Sequence, residues 1–412
     1  MFAPGPSTEP DPYRIPLERL DPSDPGLFQR DVVLPYFERL RREDPVHFTE
    51  KHIHGPYWSI TRFDDIVTVN TDHETFSSRP AITIANADED FPLPMFIASD
   101  APKHAPQRKV VAPVASAANL DRLEPLVRER AAAILDGLPL GEDFDWVDRV
   151  AKELSSMTLA TLLGVPQADR RKLIRWADVA TADADMVIVA TSAQRKAELE
   201  DCVEYFTELW RERAAAPPAD DLISRLAHSE ATRDMDKVEL LGAVVLLLVA
   251  GSETTRSGIS GSVLALHQFP DQFELLKAEP ALIGDMISET MRWQSPAVHM
   301  RRIARRDVEL GGKRIRRGDK VVMWYLSGNR DESVMERPND FWIRRPNVRR
   351  HLSYGQGVHR CIGARLGEMQ IQVLWQELLS RYSRIEVVGQ PSRFASCFAR
   401  SFHNLPVRLT AK

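Results

Sequence analysis

Between Leu240 and Ser252 the chain reads LLGAVVLLLVAGS, a run without a charge that Glu253 closes. A helix that is apolar all round has to be covered from every side, so the fold must wrap other elements around this one. The run falls short of the roughly 18 apolar residues that a membrane span needs, which predicts a buried helix and no membrane anchor. A chain of 412 residues with 43% hydrophobic and 27% charged content has the material to bury it. The net charge of -5 and a pI near 6.2 give no global basic field, which argues against nucleic acid or an anionic membrane as the main partner. Cys202, Cys361 and Cys397 are odd in number and far apart, a poor basis for a disulfide framework. The amino terminus has no basic start followed by an apolar stretch, so it does not read as a secretory signal, and the expected location is the cytoplasm.

Around the apolar run the text is mostly helical. Residues 119 to 213 are rich in Leu, Ala, Glu and Arg with apolar spacings of three and four, and the pattern continues over 236 to 267 and 281 to 293. Strand-like text is confined to YWSITRFDDIVTVNTD (57 to 72, with a brief helix at its end), to DVELGGKRIRRGDKVVMWYLSGN with its Gly-Gly turn, and to the last 25 or so residues. Residues 1 to 29 form a Pro-rich lead-in, and no repeat or Gly/Ser linker divides the rest. The expectation is a single domain over 30 to 412, mainly α with a minor β region assembled from both ends, an α+β chain.

The stretch SYGQGVHRCIG (353 to 363) places Cys361 behind two glycines and two basic residues, ahead of IGARLGEMQIQVLWQELLSRY with its helical stripe of Ile362, Leu366, Met369, Val373, Leu374 and Leu378. A thiol acts as a soft ligand or nucleophile only as thiolate, and a helix amino terminus favours that anion. Gly355 and Gly357 allow a tight turn, and Gly363 lets the backbone approach a flat cofactor. A lone cysteine at a helix start is most often a buried structural residue, but the flanking pattern argues against that here. A cysteine protease would use a His such as His351, His359 or His403, yet no papain-like or caspase-like signature surrounds Cys361. Zinc would need further ligands at zinc-finger spacing. One thiolate beneath a macrocycle, haem iron with an axial cysteine, fits better.

This stretch resembles the haem-binding signature of the cytochrome P450 family, with Tyr354 where Phe is usual. Three further segments resemble that family in order. In LLLVAGSETTRSG, Ala250 and Gly251 would leave room beside haem, and Glu253-Thr254 would be the acid-alcohol pair: Glu253 relaying protons, Thr254 hydrogen-bonding dioxygen or an ordered water. Aspartate is the commoner acid. Glu289 and Arg292, at i and i+3, would lock with Arg345 to brace the cysteine loop, with Trp342 where an acid is usual. The pair Glu38 and Arg41 has the same spacing and is expected to mean nothing. His104 and Arg108 lie one helical turn apart, and with Arg301 and His359 they match positions that bind the haem propionates.

The resemblance covers roughly residues 30 to 410 and implies the family's triangular fold, with haem b between the long distal helix and the helix that follows the cysteine. It implies a monooxygenase using dioxygen and electrons from a separate protein, a 2Fe-2S ferredoxin with its ferredoxin reductase, on an expected monomer. Arg344, Arg345, Arg349, Arg350 and Arg360 would offer such a ferredoxin a basic face. Among relatives the segments look most like bacterial alkane and fatty-acid terminal (omega) hydroxylases. Expected pocket liners are Leu246, Leu247, Val249, Val298, Met300 and Phe398, with Ile82 and Met95 from an earlier segment, apolar side chains suited to a linear aliphatic chain. His299 is the polar exception, facing either into that pocket or away. Rival readings are a hydroxylase of terpenes or other cyclic apolar compounds, a haem-binding sensor without turnover, and a peroxide-driven or isomerising haem-thiolate enzyme.

Overall fold

In a computed structural model of the chain, residues 11–86, 93–181 and 188–412 are described. They fall into two compact units, each assembled from distant parts of the sequence. The first comprises residues 1–86, 261–361 and 387–405, the second 87–260, 362–386 and 406–412.

The first unit is built on a five-stranded sheet in the order Val46–Thr49, Tyr57–Ile60, Lys320–Trp324, His299–Ala304, Phe76–Ser77. Tyr57–Ile60 runs parallel to Lys320–Trp324, with Ser59 opposite Val322, and the other pairings are antiparallel. Because strand side chains alternate between faces, the residues of Lys320–Trp324 divide between two cores. Val322 and Trp324 join Phe28, Phe37, Leu40 and Val298, whereas Val321 and Met323 join Ile60, Phe63, Ile66 and Leu352. The described part of the Pro-rich lead-in belongs to this packing. Pro25 opens the helix Pro25–Gln29 at a position where a missing N–H costs nothing, Asp24 caps it, and Leu27 and Phe28 enter the core. The Gly-Gly turn is a hairpin, with Gly311 and Gly312 both at positive φ between Val308–Leu310 and Lys313–Ile315.

The second unit is helical: Ala117–Asp136, Lys152–Leu163, Arg170–Thr181, Ser192–Ala215, Leu222–His228, Ala364–Arg381 and the long helix Lys237–Gln268 as far as Ser260. Ala364–Arg381 packs along Ala117–Asp136, where Arg128 reaches Glu377 and Gln376 at 3.0 and 2.7 Å. A three-stranded sheet, Asp143–Asp145, Pro406–Ala411 and Tyr382–Val387, closes one end. The helix predicted at the apolar run is present. By length and composition Lys237–Gln268 could cross a membrane, but most of its apolar stretch is buried inside the protein. It is a core helix.

Candidate active site

In the first unit, the loop ahead of Cys361 is a folded structure. Gly355 and Gly357 sit at φ +64° and +68°, the left-handed region that glycine enters without strain. The Gly355 N–H donates to Leu352 O and the Cys361 N–H to Tyr354 O, both at 2.7 Å. At Gly357 even a Cβ would come within 3.0 Å of Asn70 O, so the loop lies hard against the helix Phe63–Thr71. Cys202 and Cys397 are buried, whereas Cys361 is exposed. The following helix starts later than its apolar stripe suggests: it spans Ala364–Arg381 with Gly363 as N-cap, and Ile362 lies outside it. Nothing lies within 4 Å of a Cβ built on Gly363, so the backbone beyond the cysteine is open to a flat partner. His359 shares a hydrogen bond with Ser78 Oγ at 2.9 Å, and the Tyr354 ring lies beside His351.

The predicted bracing group forms within the same unit. Arg292 forks onto the Glu289 carboxylate at 2.7 and 2.8 Å, and Arg345 reaches it at 3.0–3.2 Å. All three side chains are buried. Trp342 contributes its backbone N–H, 2.8 Å from Glu289, while its ring lies under the guanidinium groups of Arg337 and Arg345. A tryptophan can therefore stand where an acid was expected, because the acid's hydrogen-bonding place is taken by main chain. The brace reaches the cysteine loop through Asn329. Arg292 donates to the Asn329 carbonyl, and the Asn329 amide holds Ser353 Oγ (2.8 Å) and Leu352 N–H (2.6 Å). Glu38 and Arg41 do not pair with one another: Arg41 binds Glu332 and Glu38 lies near Arg42. Burial of Arg345 also removes it from the expected basic face, and Arg344 is paired with Glu279 at 2.5 Å.

The strand His299–Ala304 sorts the remaining candidates of this unit. Arg301 shares a face with Val322 opposite it, and its Nη1 donates to Ala85 O at 2.7 Å. Its buried Nε has no partner among the described residues, and burial pushes its pKa down. Met300, paired with Met323, faces the other side and packs on the core around Phe63 and Ile66, so it does not line a pocket. Neighbours on a strand point opposite ways, so Met300 and Arg301 cannot both face the same cofactor. Val298 does not line a pocket either, being wholly buried in the other core with Phe37 and Trp324. Ile82 and Phe398 remain half-buried beside this strand, their carbonyls accepting from the N–H groups of Arg301 and Val298.

His299 faces away from any pocket. Its Nε2 accepts the Ile84 N–H at 3.0 Å and its Nδ1 donates to Cys397 O at 2.8 Å, which fixes the tautomer. Burial pushes its pKa down to about 4, so the ring is a neutral staple between three chain segments.

In the second unit, the long helix keeps exposed surface at Leu247, Val249, Ala250, Gly251 and Thr254. Leu247, Ala250 and Thr254, spaced as one helix face, keep exposed surface while Val244, Val245, Leu248, Ser252 and Glu253 are buried. Thr254 Oγ donates to Ala250 O at 3.1 Å, which leaves its lone pairs to accept a hydrogen bond. Leu246 is nearly covered. Val249 stands about 140° around the helix from Thr254, off the stripe, by the 100° advance per residue. Gly251 also departs from expectation. A Cβ there would meet Leu159 Cδ1 at 2.8 Å, so the space its missing side chain leaves is filled by the neighbouring helix Lys152–Leu163. A Gly251→Ala variant should change stability by less than about 1 kcal/mol, because the close atom is the movable end of the Leu159 side chain and alanine favours the helix by about 0.5–1 kcal/mol; a denaturant midpoint lowered by more than that would show that Leu159 cannot yield.

Glu253 has partners that were not anticipated. Its carboxylate is paired with Arg256 on the same helix, and Arg256 Nη2 also holds Asp178 Oδ1 at 2.7 Å. Burial works against the Arg256 charge, but Glu253 and Asp178 outweigh it and push its pKa up. Glu253 and Arg256 are almost wholly buried and Asp178 is 14% exposed, so the three form a charged line from the helix interior to the unit's surface. The spacing Glu253-x-x-Arg256 was the signal available in the sequence; Asp178 is distant and gave none. His104 is buried at the start of the helix His104–Val111, with half-buried Arg108 one turn on. Met95 is half-buried, and Pro94 beside it presses on Gly242, where a Cβ would strike the Pro94 carbonyl.

In the first unit, an exposed cysteine on a rigid loop suits a thiolate-bound haem; in the second unit, taken by itself, Gly363 is open and the long helix presents uncharged side chains ending in a hydroxyl. The comparisons agree. The family model for cytochrome P450 matches residues 36–396. The chain is 35% identical over 408 residues to linalool 8-monooxygenase of Pseudomonas putida, covering 96% of this chain and all of that one. It is 31% identical to the methyl-branched lipid omega-hydroxylase of Mycobacterium tuberculosis, over 90% of each. The solved structure of CYP153D17 from Sphingomonas sp. PAMC 26605 superposes with a TM-score of 0.90 at 42% identity, covering 96% of this chain and all of that one. With the fold, the segment order and these matches in agreement, the chain belongs to the cytochrome P450 family.

Proposed function

We propose that this monooxygenase, which carries haem b on a cysteine thiolate, hydroxylates the terminal carbon of medium-chain alkanes or fatty acids, with Cys361 as the ligand. The observation that carries the reading is the open stripe of Leu247, Ala250 and Thr254, which offers a substrate no charge, together with His299, whose two ring nitrogens are both spent on main chain. Haem held by a thiolate supplies reductive activation of dioxygen and insertion of one oxygen atom into a C–H bond. Arg301, His359, His104 and Arg108 are the proposed donors to its propionates, where charge-assisted hydrogen bonds are strongest. Selectivity for a chain end has to come from positioning, because a methyl C–H bond is stronger than its methylene neighbours.

Thr254 and Glu253 handle the protons. The Thr254 hydroxyl, oriented by the Ala250 carbonyl, accepts a hydrogen bond on the open face, and Glu253 is the proton carrier, its carboxylate held by Arg256, which keeps its own proton, with Asp178 at the surface end of the line. Thr254→Ala is expected to lower product per electron consumed about a hundredfold, the low end of what a lost proton-handling group costs. The check is product formed against dioxygen and reductant consumed; equal coupling in variant and wild type would remove Thr254 from the reaction.

Electrons come from a redox partner, proposed to be a 2Fe-2S ferredoxin with its reductase, in the cytoplasm. Arg349, Arg350 and Arg360 remain exposed beside the cysteine loop and suit an acidic partner. The substrate reading is tested by titrating the ferric enzyme with alkanes, fatty acids and terpenes of graded size, following the spin-state change, and then identifying the hydroxylated carbon. Saturable response to linear chains with terminal products is the expected result. Response confined to terpenes would instead favour the second reading, which the likeness to linalool 8-monooxygenase supports.

A further inference from the structure

The cysteine loop stands over a polar space that none of the proposed chemistry uses. Gly355 is buried and left-handed, φ +64°, and the place of its missing side chain is bordered by polar atoms. A Cβ built there would lie 3.5 Å from the Tyr325 hydroxyl oxygen, 3.7 Å from Asn70 Nδ2 and 3.9 Å from the His359 carbonyl oxygen, its three nearest neighbours beyond the adjoining residues. Polar atoms of three segments thus converge on one point, and at ordinary contact distances that point admits a heavy atom without displacing any of them. Tyr325 opens the short helix Tyr325–Gly328, Asn70 lies in the last turn of Phe63–Thr71, and His359 stands two residues before Cys361.

The direction of each hydrogen bond is fixed by a neighbouring charge. Arg302 Nη2 donates to Asn70 Oδ1 at 3.3 Å, and a guanidinium can only donate, so the Asn70 oxygen faces it and the amide nitrogen faces Tyr325. That nitrogen donates to the Tyr325 hydroxyl at 2.9 Å. The phenol therefore accepts from Asn70 and has to place its own proton elsewhere. Neither that proton nor the second N–H of Asn70 has an acceptor among the described residues. Both side chains are 2% exposed, so bulk water does not reach them. Burial pushes the Tyr325 pKa up, which keeps the phenol protonated. A buried donor left without an acceptor is costly, and groups of this kind are met by enclosed water that has two to four polar partners.

We propose that this space holds one ordered water, which accepts from the Tyr325 hydroxyl and the Asn70 amide and donates to the His359 carbonyl, making Tyr325 a positioning residue for the loop that presents Cys361. The bridge fastens the loop, two residues ahead of the cysteine, to the helix Phe63–Thr71 and to the turn after the strand Lys320–Trp324. Gly355 serves it twice, by entering the left-handed region and by leaving the room that the water takes. The effect on haem rests on the proposed ligation by Cys361, whereas the water site itself does not.

The test uses the haem-loaded full chain. A crystal structure should show one ordered water within hydrogen-bonding distance of the Tyr325 hydroxyl, Asn70 Nδ2 and the His359 carbonyl, and Tyr325→Phe should lose it. The second readout is the rate at which the reduced carbon monoxide complex loses its red-shifted, thiolate-type band on warming. Each variant is held the same interval below its own unfolding midpoint, so that a general loss of stability cancels. Tyr325→Phe is expected to lose the band about tenfold faster, the weight of one buried hydrogen bond. Asn70→Asp should act likewise, since its carboxylate pairs with Arg302 and takes the phenol proton, and it decides the matter if Tyr325→Phe does not fold. Absence of a water at this place in the wild type overturns the proposal, and so does band loss at the wild-type rate in the variants. A wild type without a thiolate-type band would count against the ligation instead, and the water alone then decides the site.

Discussion

Glu289→Ala should yield little or no haem-loaded protein. Among the described residues the carboxylate is the only acid in the hydrogen bonds of Arg292 and Arg345, and all three groups are shut away from water. Removing it leaves two buried guanidinium groups facing each other, a loss of about 3–5 kcal/mol for breaking a buried pair from one side. Set against a total stability of about 5–15 kcal/mol, that is a large fraction. The damage reaches the cysteine loop, because Arg292 positions Asn329, and Asn329 holds Leu352 and Ser353. Haem content per protein and the denaturant midpoint are the measurements. Glu289→Gln keeps an acceptor for the Trp342 N–H but no charge, so it should fall between alanine and wild type. A Glu289→Ala protein that binds haem and melts as the wild type does would mean that the two arginines are compensated by the carbonyls around them alone.

The second large effect concerns the choice between cysteines. Cys361→Ser is expected to abolish turnover and the red-shifted absorption of the reduced carbon monoxide complex, since a serine hydroxyl is a far harder and more basic ligand than a thiolate. Cys397→Ser should keep both. The Cys397 side chain belongs to the core that contains Phe28 and Trp324, and its carbonyl is held by His299, so its substitution costs packing and leaves the ligand in place. Cys202, whose thiol burial pushes up far beyond the ordinary range, is equally inert. Retention of the thiolate-type band in Cys361→Ser would falsify the proposed ligation.

Resemblance to the family's segments, more than spacing, marked the cysteine loop, the acid-alcohol pair and the bracing group before any coordinates: Glu38 and Arg41 have the spacing of Glu289 and Arg292 and do not pair. Each is defined by residues within one turn or one helix, where i and i+3 or a glycine two positions away carry the geometry. Arg345 was placed by resemblance, and the coordinates join it to Glu289. What stayed hidden depends on phase or on distance. Met300 and Val298 look apolar and suitable for a pocket, but the phase of the strand His299–Ala304 and its two cores decide their direction, and a six-residue strand does not announce which face is which. Gly251 read as space beside a cofactor because a missing side chain does not say which neighbour fills the gap; Leu159, on another helix, does. Asp178 completes the charged line from Glu253 across a separation that no local pattern spans. His299 could face either way on sequence grounds, and two main-chain partners, Ile84 and Cys397, one more than 200 residues before it and one nearly 100 after, hold it inside the core.

The parallel pairing of Tyr57–Ile60 with Lys320–Trp324 has a consequence for how the protein is made. During synthesis the front strands leave the ribosome long before their partners exist, and the first unit closes only when residues 387–405 have been added. Until then, an edge prepared for strand pairing and the apolar faces of Phe28, Phe37 and Ile60 wait uncovered, a slow-folding arrangement in which chaperones and translation speed govern yield more than final stability does. The second unit can start earlier, since its helices from Ala117 to His228 are contiguous, so nascent chains should pass through a stage with a helical body and an unpaired front.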